Sequence, residues 1–285
     1  MVKNDFGLIG TPYDSSSCVI VPVPYEGTVT YGKGASSGPA AIIEASQNAE
    51  TFDFATGKNY ESLAFHTLKP LEVKGMGPAK AMAAVEDTSA SLLKEGRVPF
   101  LLGGEHSVTV PAVRAVFTHH GGNIGVVQLD AHADLRNEYQ GSVHNHACVM
   151  ARVREFAPAL QLGIRSCSAE ENELIKKEKL SVLGPKESLP GETLNRALDA
   201  LPENVYLTID IDCLDPSIMP STGTPEPGGF NWAEITGIVT RVADRKTIVA
   251  ADVMELAPIA GLRAPDFLAA KLVFYTLAEL FKERR

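Results

Sequence analysis

Six short runs of continuous apolar residues, separated by segments with helical periodicity, constrain this chain's fold more than any other feature. They cover residues 18–24, 98–102, 124–129, 160–164, 204–209 and 247–254. Their residues do not alternate apolar with polar, so each strand needs cover on both faces. Pro39 follows Gly38 at an early helical position, where its missing N–H costs little. Over 78–93, Met82, Val85, Ser89 and Leu92 mark one helical face, closed by Lys94-Glu95-Gly96. Ser168 with Glu171, and Asn231 with Glu234, have capping-box spacing and open further helices. Helices are also expected up to His119 and over 145–156, 191–201 and 266–281, with a possible strand at 63–68. Strand–helix alternation of this kind predicts a parallel sheet covered by helices on both faces. No linker, repeat or low-complexity stretch divides it, so one α/β domain over residues 1–285 is expected.

In such a sheet, ligands bind outside the carboxyl ends of the strands. Four predicted strand ends carry unusual polarity. His106 follows Gly103-Gly104, Asp130-Ala131-His132-Ala133-Asp134 follows Leu129, Asp210 and Asp212 follow Ile209, and Glu255 follows Asp252-Val253-Met254. Residues two apart on a strand share a face, so Asp130, His132 and Asp134 point one way if the extended backbone continues. Taken singly, each has a plainer explanation. The Asp130 stretch reads equally as an acidic turn with a capping Asp, His106 as a satisfied loop histidine, Asp210 and Asp212 as turn residues before Asp215-Pro216, and Glu255 as the start of a loop. Jointly they are six imidazole and carboxylate ligands on one rim, which suits two divalent ions sharing carboxylates. The oxygen-rich set favours a hard ion such as Mn²⁺.

Composition narrows the partner. The formal net charge is −9, which argues against nucleic acid or anionic membrane as partner. The four aspartates with a bridging hydroxide slightly outweigh two divalent ions, so the site suits a small cation. No Arg or Lys stands at these strand ends to meet a phosphate ester. Cys18, Cys148, Cys167 and Cys213 are scattered without a Cys-x-x-Cys pair, which points to reduced thiols in a cytoplasmic protein. The first residues show no apolar h-region and no apolar run approaches membrane-spanning length, so neither a leader nor a membrane span is expected.

These residues resemble the ureohydrolase family of arginases and agmatinases. Gly103-Gly104-Glu105-His106-Ser107 is similar to its GGDHS motif, and Asp130-Ala131-His132-Ala133-Asp134 to its DAHxD motif. Asp210-Ile211-Asp212-Cys213-Leu214-Asp215-Pro216, continued by Gly223-Thr224-Pro225-Glu226-Pro227-Gly228-Gly229, resembles its longest signature. The resemblance implies a three-layer α/β/α domain around a mostly parallel sheet of about eight strands, assembled as trimers or hexamers. It implies two Mn²⁺ per subunit. His106, Asp130, Asp134 and Asp210 would hold one ion, and Asp130, His132, Asp210 and Asp212 the other. A hydroxide bridging the ions would attack the guanidinium carbon, Asp134 would help stabilise the tetrahedral intermediate, and His146 would pass a proton to the leaving amine. Glu255 would orient the guanidinium, and Ser142, His144 and Arg136 are further candidates for substrate contact.

The chain departs from the family pattern at three places. Glu105 replaces the commoner Asp, Arg136 stands where arginases usually carry Asn, and His144 where they carry a smaller polar residue. His146-Ala147-Cys148 is closer to agmatinases. The expected reaction is therefore agmatine to urea and putrescine, a step of polyamine synthesis. Arginine, guanidinobutyrate and aminopropylagmatine remain open as substrates. A deacetylase-like metallohydrolase and a non-catalytic metal-binding paralogue are the remaining alternatives.

Overall fold

Burial on both strand faces has its expected consequence in the computed structural model, which describes residues 5–54 and 56–282. The strands are β1 (Cys18–Val23), β2 (Phe52–Asp53), β3 (Lys58–Asn59), β4 (Phe65–Thr67), β5 (Val98–Gly103), β6 (Gly125–Leu129), β7 (Ala159–Leu162), β8 (Ser181–Leu183), β9 (Asn204–Asp210) and β10 (Thr247–Met254). The helices are α1 (Gly38–Ser46), α2 (Pro78–Lys94), α3 (Thr109–His119), α4 (Val149–Val153), α5 (Ala169–Glu178), α6 (Glu192–Asp199), α7 (Trp232–Arg245) and α8 (Ala264–Leu280). Eight strands form one sheet in the order β4-β1-β5-β10-β9-β6-β7-β8, and every pairing within it is parallel.

Successive residues of the central strands of the sheet feed two cores. Ile20, Phe100, Leu102, Val127, Leu129, Leu207 and Ile209 pack with α1, α6, α7 and α8 on one face. Val19, Val21, Leu101, Val126, Tyr206 and Met254 pack with α2, α3 and α4 on the other. The result is a three-layer α/β/α architecture. The expected face of α2 is buried at Met82, Val85, Ser89 and Leu92, and both capping boxes form, Ser168 with Glu171 and Asn231 with Glu234. Among the described residues no helix is long and apolar enough to cross a membrane.

Three features depart from the expected segments. The β2–β3 hairpin and the edge strand β8 have too few residues to show a hydrophobic period. The helix expected over 145–156 is shorter: His146–Cys148 form a 3₁₀ turn, and α4 ends at Val153. The cysteines are free, with Cys18, Cys148 and Cys213 buried and Cys167 exposed.

Topology places the site. Chain order would put β6 beside β5, but β10 and β9 fill the gap between them. The four strands whose ends carry the candidate ligands are therefore neighbours, β5-β10-β9-β6.

Candidate metal centre

The rim is built first by a tight passage after β5. A Cβ on Gly104 would lie 1.9 Å from the Tyr25 carbonyl oxygen, so only glycine permits this approach. The Gly104 carbonyl accepts the Glu255 N–H at 2.8 Å, tying the ends of β5 and β10 together. His106 follows at the start of a short turn leading into α3. Its backbone N–H donates to Glu255 Oε1 at 3.0 Å.

The His106 ring is 1% exposed, and its Nε2 lies 2.9 Å from Thr208 Oγ1. That contact engages Nε2 and leaves Nδ1 as the ring nitrogen turned towards the carboxylates. Nδ1 faces Asp130 Oδ2 at 3.1 Å, Asp210 Oδ2 at 3.2 Å and Asp134 Oδ2 at 3.4 Å. It is buried with no hydrogen-bond partner. An orphaned imidazole nitrogen facing three carboxylates is resolved by a cation between them.

A second trio adjoins it. His132 Nδ1 lies 2.8 Å from Asp212 Oδ2 and 3.7 Å from Asp130 Oδ1. His106, Asp130 and Asp134 form one group with metal-ligand spacing, and Asp130, His132 and Asp212 another, so Asp130 belongs to both. The remaining carboxylate oxygens are held by the backbone. Asp130 Oδ1 accepts the His132 N–H at 2.6 Å, Asp212 Oδ1 accepts the Ala131 N–H at 3.0 Å, and Asp210 Oδ1 accepts the Asp212 N–H at 3.0 Å. All six expected ligands thus converge, and the donor set fits two hard divalent cations.

The strand-alternation argument for Asp130, His132 and Asp134 holds only partly. Extended pairing persists to His132, which bridges to Ser166. Asp134 instead has φ of +51° and Glu255 has +66°, left-handed conformations that are uncommon for non-glycine residues and concentrate at functional sites. Asp134 reaches the cluster through this backbone reversal, which the N–H groups of Met150 and Ala151 pin at its carbonyl.

The electrostatics agree with cation binding. Burial, reinforced by the neighbouring Asp212 charge, raises the Asp130 and Asp210 pKa values well above the ordinary carboxylate range. Burial also raises Glu255. For His132 burial acts downward, but Asp212 outweighs it and pushes the pKa up to about 11. For His106 burial is likewise overcome by Asp130, Asp134 and Asp210, and its pKa rises well above the usual value. Asp212 is lowered: burial opposes this, and its bond to His132 prevails. In the metal-free protein at neutral pH the His132 imidazole therefore carries a proton that a metal must displace from Nδ1. Raised pKa values give a fixed sign, so apparent metal affinity rises with pH as proton competition fades. Calorimetric titration with Mn²⁺ in buffers of different ionisation enthalpy should show net proton release at neutral pH. Titration without release would mean that the His132 imidazole is already neutral.

The cluster floors a cavity of about 230 Å³, lined by Asp130, His132, Asp134, Asp210, Asp212, Glu255, His146 and Arg136 among others. His106 lies buried beneath it. Ser142 and His144 are not among the lining residues: the Ser142 hydroxyl accepts the His144 N–H at 3.1 Å. His144 lines a separate hollow with Arg114 and Glu86. The Arg136 guanidinium sits 4.7 Å from the Tyr139 ring centroid, and Tyr139 also lines the cavity.

Sequence reasoning missed two supports. Gln128 Nε2 donates to Asp130 Oδ2 at 2.6 Å, and Gln161 Nε2 donates to both Gln128 Oε1 and the Ala133 carbonyl at 2.7 Å. The available signal was a glutamine inside each of two apolar strands. Arg165 donates to the carbonyls of Asp212 at 2.7 Å, Glu226 at 2.8 Å and Pro227 at 3.1 Å, and no motif marked it. Arg165→Ala should lower stability by about 2–4 kcal/mol, because several half-buried carbonyls lose a charged donor, and should loosen the Asp212 loop. Thermal unfolding with and without Mn²⁺ checks this; an unchanged Tm in both would refute it.

Comparison with known proteins adds four findings. A family model described as the arginase family matches residues 16–278. An N(1)-aminopropylagmatine ureohydrolase from Synechocystis is 38% identical over 272 residues, covering 93% of this chain and 89% of that protein. An agmatinase from Pyrococcus horikoshii is 31% identical, covering 91% and 90%. Among solved structures, the agmatine ureohydrolase of Thermoplasma volcanium superposes with a TM-score of 0.81 at 28% identity, covering 95% of this chain and 92% of that one.

Proposed function

Since the chain belongs to the arginase family, whose relatives here are ureohydrolases acting on guanidino compounds, we propose that it hydrolyses an amine-tailed guanidine to urea and the corresponding amine. Agmatine and N(1)-aminopropylagmatine, the preferred substrate and one of the alternatives left open, are the two candidates, and the 38% relative supports the longer tail over the 31% one. One structural observation carries the reading: Glu255 and five of the six candidate ligands, Asp130, His132, Asp134, Asp210 and Asp212, line a single, predominantly acidic cavity.

His106, Asp130, Asp134 and Asp210 would hold one Mn²⁺, and Asp130, His132, Asp210 and Asp212 the other. When bound, the pair supplies Lewis-acid activation and makes a water-derived nucleophile available near neutral pH. The protein groups do the rest. Glu255 has one oxygen engaged by the His106 N–H, and its carboxylate accepts guanidinium N–H groups in charge-assisted bonds. Asp134, turned into the cavity by its left-handed backbone, accepts hydrogen bonds from the tetrahedral intermediate at the guanidine carbon. As that carbon's bond to the tail nitrogen breaks, His146 gives the amine a proton and regains one from water. The balance is guanidine plus water to urea plus amine. Assembly into trimers or hexamers and a cytoplasmic place in polyamine synthesis belong to the same proposal; light scattering on the purified protein reads the first.

A second reading has one observation in its favour. Arg136 lines the cavity and would pair with a carboxylate tail, as in guanidinobutyrate or arginine. Urea release from the Mn²⁺-loaded protein should be compared across agmatine, N(1)-aminopropylagmatine, arginine and guanidinobutyrate. We expect kcat/KM for an amine-tailed guanidine to exceed that for either carboxylate at least roughly tenfold, about 1.4 kcal/mol. A carboxylate-tailed winner would transfer the proposal to the second reading. No urea from any of the four would end both.

A further inference from the structure

Glu105 sits between Gly104 and His106, yet its side chain belongs to neither ligand trio. It is fully buried and accepts four donors. Its Oε2 takes the backbone N–H groups of Gly27 and Thr28, each at 2.6 Å, and its Oε1 takes the hydroxyls of Thr28 at 2.7 Å and Ser107 at 2.5 Å. Gly27 and Thr28 belong to the long Gly- and Thr-rich segment after β1. Thr28 Oγ1 has a second set of neighbours: the His146 backbone N–H donates to it at 3.1 Å, and His146 Nδ1 lies 3.2 Å away.

Proton counting decides the direction of that last contact. A threonine hydroxyl has one hydrogen, and Glu105 Oε1 takes it. Thr28 Oγ1 can then only accept from His146, so the proton between them is on Nδ1. We propose that Glu105 and Thr28 are positioning residues that hold His146 as its Nδ1–H tautomer, leaving Nε2 as the ring nitrogen that exchanges a proton in the cavity. The inference rests on the reading of His146 as the group that protonates the leaving amine. During that step the proton leaves Nε2 for the amine nitrogen and Nε2 recovers one from water, while Nδ1–H stays on Thr28.

Glu105→Gln gives a specific inversion. The amide oxygen must take the Oε2 position, because two backbone N–H groups point at it. The NH₂ then faces Thr28 Oγ1 as a donor, the Thr28 hydroxyl turns towards His146 Nδ1, and the imidazole is driven to the Nε2–H tautomer. Long-range ¹H–¹⁵N correlation spectra of the full-length histidine-labelled protein, metal-free and with diamagnetic Mg²⁺, read this directly, with His146 assigned by its loss in His146→Asn. Recorded where the ring is neutral, the wild type should show a protonated Nδ1 and an unprotonated Nε2. Glu105→Gln should exchange the two signatures, Thr28→Val should abolish the preference, and Thr28→Ser should restore the wild-type pattern. In parallel, kcat for urea release should fall roughly 10²-fold or more in Glu105→Gln and Thr28→Val, with KM little changed, and recover in Thr28→Ser. A wild-type ring protonated on Nε2, or a tautomer unchanged in Thr28→Val, overturns the proposal, and the Thr28 pair decides it if Glu105→Gln does not fold. Full urea release by His146→Asn would overturn the catalytic reading of His146, a result separate from the tautomer.

Discussion

Asp130→Asn is expected to empty the site and abolish urea release together. Asp130 is the one residue common to both ligand trios, and its two oxygens look in different directions, Oδ2 towards His106 Nδ1 and Oδ1 towards His132 Nδ1. An amide cannot ligate through its nitrogen, so either orientation of the Asn removes one of these contacts. The surroundings make the swap worse. Oδ1 receives the His132 N–H and Oδ2 receives Gln128 Nε2. Gln128 cannot flip to relieve a facing NH₂, because its own oxygen is occupied by Gln161. One donor-to-donor conflict is therefore unavoidable, at a cost of about 1–3 kcal/mol. Residues that merely support a metal's ligands typically cost about 10–100-fold in affinity or activity when changed, and a ligand shared by two ions should exceed that. Metal content by mass spectrometry, measured beside urea release, checks the outcome. Two ions per chain in the variant would refute the shared role.

Glu255→Gln is expected to separate binding from catalysis. Glu255 belongs to neither metal-spaced trio, yet it lines the same cavity. Its Oε1 accepts the His106 N–H, and a glutamine oxygen can keep that bond, so the ligand cluster should stay intact and metal should remain. The NH₂ would then face the substrate, donor against donor, where a carboxylate had paired with a cation. Removing one partner of a buried charged pair costs about 2–5 kcal/mol, roughly 10²- to 10³-fold in kcat/KM at mid-range. Full activity would remove Glu255 from the site's chemistry. Loss of metal in this variant would instead make it structural.

Much of the fold was legible because burial on two faces leaves a mark that local reading detects. β10 spans the expected 247–254, and both capping boxes open the expected helices. What escaped was short or at an edge, such as the β2–β3 hairpin and the three residues of β8, where too few side chains exist to display a period. The ligand types were legible for a related reason: an acidic or imidazole residue directly after an apolar strand is conspicuous. Arg165 and Thr28 were not, since each acts through groups far away in the chain.

The chain's own residues were enough to require a parallel sheet with two covers and to place six candidate metal-ligand side chains and a glutamate at its carboxyl ends, because hydrophobic period and strand-end polarity are local properties. Which of those ends would be neighbours was decided only in three dimensions. The insertion of β10 and β9 between β5 and β6 brings Glu255 against the His106 backbone across 149 positions of sequence. Tertiary structure also decided which residues face the cavity: the reversal at Asp134 turns its carboxylate in. Ser142 and His144, close to His146 in sequence, line no part of the cavity wall. The physical reason is the same throughout, since side-chain direction past the end of a strand depends on what the loop packs against and no longer on the strand's alternation.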